Sequence, residues 1–130
     1  MKKAVISRKK YGNMAELKVR LYLFFNGYRR VDSNFYTPYG ELDIVAEKKG
    51  TMVFIEVRSR SEELCEQYGT PFESIDNAKK QSIIRSAKYY IKYRCLTKKN
   101  YRFDVIQVIN RKNGGITLEH MENAVVVIRD

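Results

Sequence analysis

The chain has 130 residues, a length that fits one domain and leaves little room for a second. Hydrophobic residues make up 44% of the chain and aromatic residues 12%, which is enough apolar material for a core and excludes wholesale disorder. A formal net charge of +10 and a sequence pI near 9.6 favour an acidic partner, with nucleic acid ahead of an anionic membrane surface.

The sequence contains none of the usual signals for a membrane or a structural metal. No apolar run approaches the roughly 20 residues that a membrane-spanning helix needs. The opening MKKAVISRKK lacks the apolar centre of a signal peptide, so we expect a cytoplasmic protein without membrane insertion. Cys65 and Cys95 are expected to stay reduced, and with His120 as the only histidine they do not predict a zinc site.

The first predicted element is a helix that begins with a capping box, in which Asn13 is the N-cap and Glu16 the third helical residue. Its apolar residues recur at helical spacing at Leu17, Leu21, Phe24 and Phe25. Gly27 gives the C-terminal stop. Residues 1–11 are predicted to form a basic N-terminal arm on a single domain that spans residues 1–130.

Three strands are predicted next. Tyr28 to Phe35 forms a polar first strand, and Glu41 to Lys48 and Thr51 to Ser59 form a hairpin. The hairpin turn is the two-residue Lys49-Gly50, in which the glycine takes the positive φ that such turns demand. A polar loop from Arg60 through Pro71 is expected to follow.

The second helix is predicted to start between Ser74 and Asn77. Its inward stripe holds Ile75, Ala78, Ile83, Ile84, Ala87 and Ile91, and its outward face holds Lys80, Arg85, Lys88 and Lys92. Strands are predicted at 102–109, 116–118 and 124–128. The resulting order, α-β-β-β-α-β-β, indicates an α/β or α+β domain with a mixed β-sheet covered by helices.

The hairpin brings two acidic residues into apolar strands. If Lys48 opposes Thr51, counting outward places Asp43 directly across from Glu56. Opposed side chains project to the same side of a sheet with Cβ atoms roughly 4.5–5.5 Å apart. Two carboxylates at that separation repel, and partial burial strengthens the repulsion, so the pair needs a compensating cation or a shared proton.

Two kinds of cation can compensate this acid pair. One is Arg58, which shares the face of Glu56. The other is Mg²⁺ or Mn²⁺, which suits two carboxylates, the backbone carbonyl of Val57 and water. A metal beside a cation in a basic cleft is what phosphodiester hydrolysis requires. A cross-strand cluster of ion pairs among Asp43, Arg58 and Glu56 is an equally good interpretation of the spacing alone.

The positive charge is segregated along the chain. No Asp or Glu lies between Asn77 and Phe103, while nine basic residues do. Five of these are candidate nucleic-acid contacts on the second helix: Lys79, Lys80, Arg85, Lys88 and Lys92. Such separation favours a surface that follows the phosphates of a nucleic acid over a uniformly solubilising charge. Asp104 is expected to pair with Arg102 or another basic side chain.

Several short segments together carry a family resemblance. They are Ala15-Glu16, Gly40-Glu41-Leu42-Asp43, Val53 through Arg60, Tyr68-Gly69, Lys79 with Ala87, and Arg102-Phe103-Asp104-Val105. On these residues the sequence resembles the YraN-like family of bacterial proteins. That family looks like part of the PD-(D/E)xK nuclease superfamily and is similar to archaeal Holliday junction resolvases. The resemblance implies a restriction-endonuclease-like fold.

The resemblance also assigns roles to individual residues. Asp43 and Glu56 match the metal-binding acids of the nuclease motif, and Glu16 matches the helical glutamate that completes the site in related resolvases. Arg58 stands where the superfamily pattern usually has lysine; arginine keeps the charge but does not readily exchange a proton. The resemblance thus implies an Mg²⁺- or Mn²⁺-dependent endonuclease acting on branched or damaged DNA. A homodimer stays open by analogy with those resolvases.

Two other functions remain open on the sequence. A nucleic-acid-binding module that kept the fold and lost turnover would carry the same basic helix. A scaffold in a ribonucleoprotein or membrane-associated complex would use the basic surface on a protein or an anionic lipid.

Overall fold

A five-stranded sheet organises the molecule in the computed structural model, which describes residues 13–124. The elements are α1 (Asn13–Phe25), β1 (Arg29–Thr37), β2 (Gly40–Lys48), β3 (Thr51–Ser61), α2 (Glu62–Tyr68), a 3₁₀ turn (Phe72–Ser74), α3 (Asn77–Tyr93), β4 (Asn100–Asn110) and β5 (Ile116–Met121). The strands lie side by side in chain order. β3 and β4 are parallel and the other neighbours are antiparallel. The predicted mixed α+β sheet with flanking helices is therefore confirmed.

The prediction of a continuous loop after Arg60 was wrong. Residues 62–68 form α2, whose start is capped by Ser61, with its hydroxyl accepting a hydrogen bond from the amide of Leu64 at 3.2 Å. The helix buries none of its residues, so it shows no apolar period that would have distinguished it from a loop. The predicted arm at residues 1–11, the capping side chain of Asn13 and the final strand beyond residue 124 fall outside the described residues.

The sheet has a core on each face. On the α3 face, α3 packs over residues that include Leu42, Val45, Met52, Phe54, Phe103 and Val105. On the α1 face, α1 packs over residues that include Ile44, Ala46, Val53, Ile55, Val57, Ile106 and Val108. β3 thus alternates strictly between the two faces, as a strand covered on both sides must. Among residues 13–124, no helix is long and apolar enough to cross a bilayer.

The buried stripes of the helices differ in part from those predicted. In α1 the residues that pack on the sheet are Ala15, Val19 and Leu23. The four apolar residues that predicted this helix point away from the sheet and are exposed. They are Leu17, Leu21, Phe24 and Phe25. In α3 the predicted inward residue Ala78 is exposed, whereas Tyr90 is fully buried, as expected for a packing aromatic.

The hairpin has the predicted turn and register. Lys49 and Gly50 both take positive φ, at 50° and 82°, which is the geometry of a two-residue type I′ turn. Pairing then runs from Lys48 opposite Thr51 to Ile44 opposite Ile55. The twist of this turn matches the twist of the strands, so the register follows from the turn.

Gly40, at the start of β2, is required by the approach of α3. Its φ is +146°, and a Cβ built there would lie 2.5 Å from Oγ of Ser82. That hydroxyl cannot easily move aside, because it donates to the carbonyl of Tyr39 at 2.6 Å. A side chain at residue 40 would therefore strain the backbone and also break a hydrogen bond between the sheet and α3.

We predict that Gly40→Ala lowers the free energy of unfolding by about 2–4 kcal/mol, the sum of backbone strain and a lost hydrogen bond. Gly50→Ala is the matched control, since its φ is +82° with no atom within 4 Å of the added carbon. That control should lose only about 1 kcal/mol. Urea unfolding measures both values.

Ser82→Ala separates the two contributions. It should cost about 1 kcal/mol in the parent chain and little or nothing beside Gly40→Ala, where the hydrogen bond is already broken. Additive losses in the double variant would show that the close approach to Ser82 is not the cause.

Candidate functional site

The regular alternation of β2 is interrupted at Asp43. Leu42 and Val45, an odd number of positions apart, both pack in the α3-face core, while Ile44 between them packs on the α1 face. The backbone pairing of β2 with β3 ends at Ile44 opposite Ile55, one pair short of Asp43 opposite Glu56. In place of a further backbone bond, Oδ2 of Asp43 accepts the amide hydrogen of Val57 at 2.9 Å. Asp43 therefore bridges the point where the two strands separate.

Glu56 lies on the α3 face, in line with Met52 and Phe54 of the same strand. It is 3% exposed and Asp43 is 6% exposed, so both acids are buried. Oε2 of Glu56 lies 3.3 Å from Nζ of Lys79 and 3.6 Å from Nη1 of Arg58. Two cations thus compensate the buried carboxylate. The side chain of Arg58 remains 27% exposed and that of Lys79 29% exposed. The cluster is connected to solvent through these two side chains.

The two cations reach Glu56 because the segment before α3 holds them there. Nη2 of Arg58 donates to Oγ of Ser74 at 3.1 Å, and that hydroxyl donates to the carbonyl of Pro71 at 2.6 Å. Asp76 caps α3, its Oδ1 accepting from the amide of Lys79 at 2.8 Å. Capping fixes the first turn of α3, and this turn carries the lysine side chain towards the strand.

The donor set fits a hard divalent ion only in part. Two buried carboxylates and the nearby carbonyl of Val57 are oxygen ligands of the kind that Mg²⁺ and Mn²⁺ prefer. Across residues 13–124, however, no group of three or more His, Cys, Asp and Glu side chains is arranged to hold a metal ion. Glu16 lies in the first turn of α1 and is half-buried. Any ion held here would complete its coordination with water.

Side-chain contacts bring together Glu56, Arg58 and Lys79, and Asp43 is bonded to the amide of Val57, the residue that follows Glu56. The other four predicted nucleic-acid contacts lie along the solvent side of α3. Of these, Lys80 is half-buried, and Arg85, Lys88 and Lys92 are exposed. Sequence reasoning missed Ser74 and Asp76 as positioning residues. Asp76 could have been predicted, since an acid just before a helical pattern is a strong N-cap. The role of Ser74 could not, because it depends on a contact with Arg58 of a distant strand.

Comparison with known sequences identifies relatives over most of the chain. The sequence profile of uncharacterised protein family UPF0102 matches residues 15–108. A UPF0102 protein of Clostridium acetobutylicum is 42% identical over 117 residues, covering 89% of this chain and 93% of the relative. The chain belongs to family UPF0102. A UPF0102 protein of Persephonella marina is 40% identical, covering 87% and 90% of the two chains, and one of Fervidobacterium nodosum is 38% identical, covering 90% and 82%.

This UPF0102 chain has a second polar cluster, centred on Asp104 of β4. The side chain is completely buried and accepts from Nε of Arg102 at 3.1 Å and from the amide of Asn123 at 3.0 Å. Its Oδ2 lies 2.8 Å from Nε2 of His120. The sequence had predicted pairing with Arg102, which is confirmed. His120, on β5, lies outside the residues that the family profile matches.

The cluster extends to two tyrosines, Tyr22 of α1 and Tyr28, which follows this helix. The hydroxyl of Tyr22 lies 2.7 Å from Nδ1 of His120, and the hydroxyl of Tyr28 accepts from Nη2 of Arg102 at 2.7 Å. Burial, together with the charges of Glu122 and Asp104, raises the pKa of Tyr22. His120 thus contacts Tyr22 through one ring nitrogen and the carboxylate of Asp104 through the other, and the tautomer of the ring sets which partner donates in each contact.

Burial alone would raise the pKa of Asp104, but hydrogen bonds from His120, Arg102 and the amide of Asn123 outweigh it and hold the pKa below the ordinary value of 3.8. A carboxyl whose pKa is lower when folded stabilises the folded state above its unfolded pKa. This stabilisation is lost as the pH falls through the folded pKa.

We predict that Asp104→Asn lowers the free energy of unfolding at pH 7 by about 2–4 kcal/mol, because Arg102 is left beside a buried neutral group. The loss should shrink as the pH falls below about 4, where the unfolded parent chain binds a proton at this carboxyl, and it should keep shrinking until the pH passes the lowered folded pKa. Urea unfolding between pH 3 and pH 7 tests this. The exposed Glu63→Gln is the control and should change stability by less than about 0.5 kcal/mol. A pH-independent loss in Asp104→Asn would contradict the ionised network.

Proposed function

We propose that this UPF0102 chain is a metal-dependent nuclease that hydrolyses phosphodiester bonds in DNA, with branched or damaged DNA as the preferred substrate. The observation that carries the proposal is that two acids, Asp43 and Glu56, are buried where β2 and β3 separate. Two partly exposed cations, Arg58 and Lys79, lie beside Glu56. The order of helices and strands is compatible with the restriction-endonuclease-like fold and the PD-(D/E)xK superfamily that the sequence resembles.

Asp43 and Glu56 would hold Mg²⁺ or Mn²⁺, together with the carbonyl of Val57. When bound, such an ion activates water and stabilises the leaving oxygen. Asp43 is held in place by the amide of Val57, so one of its oxygens is fixed and the carboxylate is oriented before any ion arrives. Glu16 is proposed, on the resemblance alone, as a further catalytic residue outside the carboxylate pair.

Arg58 and Lys79 are proposed to neutralise charge on the phosphate. Both lie against Glu56 and are partly exposed, so they would be available to contact an anionic substrate if Asp43 and Glu56 held an ion. A guanidinium does not exchange a proton near neutral pH, so the contribution of Arg58 is electrostatic. Its bond to Ser74 sets the direction in which it can reach.

The outer face of α3 is proposed to follow the DNA backbone. Arg85, Lys88 and Lys92 are exposed along it, and no acidic residue lies between Asn77 and Phe103. Tyr89 and Tyr93 stack on the same face with ring planes 10° apart, and such exposed aromatics can also stack on unpaired bases. This arrangement favours DNA with single-stranded or branched character.

A second candidate function is a nucleic-acid-binding module without turnover. It is favoured by one observation, that the charge of Glu56 is already compensated by Lys79 and Arg58 within the chain. In that case the acid pair only stabilises the fold. Binding would depend on salt and not on a divalent ion.

We predict cleavage of a synthetic four-way junction or a supercoiled plasmid in the presence of Mg²⁺ or Mn²⁺. Glu56→Gln should reduce the rate at least about 100-fold, since it removes a ligand charge, and Arg58→Met should reduce it by about 10²–10³-fold. Arg58→Lys should stay within about tenfold of the parent because the charge is kept. Arg111→Met, an exposed arginine that follows β4, is the matched control and should leave the rate unchanged.

Melting temperatures of all variants establish that they are folded. Cleavage that survives Glu56→Gln would point to a contaminating nuclease. No cleavage with either ion, combined with metal-independent DNA binding, would leave the binding module as the function.

We predict that Lys88→Ala with Lys92→Ala weakens binding to duplex and junction DNA about equally and lowers the slope of log K against log salt concentration by about 2. Lys112→Ala is the control, because its ammonium lies 3.3 Å from Glu66 of α2, away from α3. Fluorescence anisotropy between 50 and 300 mM salt measures both slopes. An unchanged slope would exclude α3 as the phosphate-binding surface.

A further inference from the structure

Helix α1 carries a second apolar surface, which faces away from the sheet. Its members are between 46% and 76% exposed. They are Met14, Leu17, Leu21, Phe24 and Phe25, called here the outer stripe. At about 100° per residue they fall within an arc of roughly 100°, nearly opposite the side chains that α1 buries. Five large apolar side chains concentrated on one exposed helix face are more than scattered surface hydrophobics, so the face is a candidate interaction site.

The outer stripe is bordered by a concavity on each side. One, of about 450 Å³, lies between α1 and the start of β1, and Arg20, Leu21, Phe24 and Tyr28 are among its lining residues. The other, of about 490 Å³, lies between α1 and β5 and is lined in part by Lys18, Leu21 and Ile116. Leu21 forms the ridge between them. A surface of ridges and grooves on this scale is suited to a packed helix.

The spacing of the outer stripe also indicates a helical partner. Met14, Leu17, Leu21 and Phe24 follow one another by three, four and three residues, which is the a/d repeat of a coiled-coil seam. The positions that flank this seam are occupied by Lys18 on one side and Arg20 on the other. In helix pairs such flanking positions choose the partner by charge.

The charges around the outer stripe select an acidic partner. Arg20, Arg29 and Arg30 line the first concavity, and Lys18 lines the second. In an antiparallel pair of α1 helices, a second copy of this chain would bring Lys18 against Lys18 and Arg20 against Arg20. The repulsion disfavours self-association through this face. An acidic flank on the partner would instead complement Lys18, Arg20 and Arg30, whereas Arg29 is already paired with Glu47.

Residues 1–11 do not have the charge of such a partner, because they contain five lysines and arginines and no acid. The acidic flank therefore indicates a helix of another molecule.

We propose that the outer stripe of α1 binds an amphipathic helix of another protein, whose apolar a/d side chains pack on Leu17, Leu21 and Phe24. Acidic residues flanking that apolar seam pair with Lys18 and Arg20. This surface lies on the α1 face of the sheet, whereas Glu56 and its cations lie on the α3 face.

The test uses the full chain and two synthetic 21-residue helical peptides with leucine at every a and d position. One peptide carries Glu at the flanking e and g positions, and the other carries Lys. Calorimetry at 50 mM salt should show the Glu peptide binding at least about tenfold tighter than the Lys peptide. Leu21→Asp should weaken binding of the Glu peptide at least tenfold, and Phe24→Ser is a second variant at a more exposed position.

Charge reversal gives a readout that general stickiness would not produce. Lys18→Glu with Arg20→Glu should invert the preference, so that the Lys peptide binds better. Lys88→Ala with Lys92→Ala is the matched control on α3 and should change neither affinity, which excludes attraction of the acidic peptide to the basic helix.

Four outcomes would overturn the proposal. They are equal or absent binding of the two peptides, binding of the Glu peptide that Leu21→Asp does not weaken, a dimer in light scattering that Leu21→Asp dissociates, and sedimentation with vesicles of phosphatidylcholine and phosphatidylglycerol that Leu21→Asp abolishes. The last two would assign the surface to a second copy or to a membrane.

Discussion

The hydrogen bond from the amide of Val57 to the carboxylate of Asp43 determines how the sheet opens. An antiparallel ladder normally continues until one strand ends, but here a side chain takes the place of the next backbone acceptor. β2 is thereby released from β3, while β3 continues beside β4 as far as Ser61 opposite Asn110. The residues of β3 beyond this point, Glu56 to Ser61, keep one strand neighbour and face the segment before α3. Two buried acids therefore lie at the point where the strands separate.

Burial of Glu56 is tolerable only because cations from two different elements meet it. Arg58 comes from the same strand and Lys79 from the first turn of α3, which Asp76 caps. Removing either cation would leave a buried charge less well compensated, so the site and the docking of α3 are energetically linked. The same cations are the groups best placed to meet an anion from solvent. Stability and the proposed contact with a phosphate would therefore compete for them, which is common at functional sites.

The parts of the fold that local chemistry controls were predictable from sequence. The Lys49-Gly50 turn fixed the hairpin register as far as Ile44 opposite Ile55, because a two-residue turn allows a single pairing. The bond of Asp43 to the amide of Val57, where the strands separate, did not follow from that register. The face of each helix residue was less predictable, since α1 has two apolar stripes and the smaller side chains, Ala15 and Val19, are the buried ones. The contact of Lys79 with Glu56 depends on how α3 crosses the sheet, which no local pattern encodes. α2 was missed because it buries nothing.

The choice of small residues for the buried stripe of α1 has a physical reason. Ala15 and Val19 let the helix lie close to the flat α1 face of the sheet, where Val53, Ile55 and Val57 already fill the space. Larger side chains there would hold α1 away from the sheet. The chain nevertheless places its largest apolar residues of this helix, Phe24 and Phe25, in solvent, where they add nothing to folding. An apolar surface that folding does not use is explained by an association that does use it, and the ring of cations around it restricts that association to acidic partners.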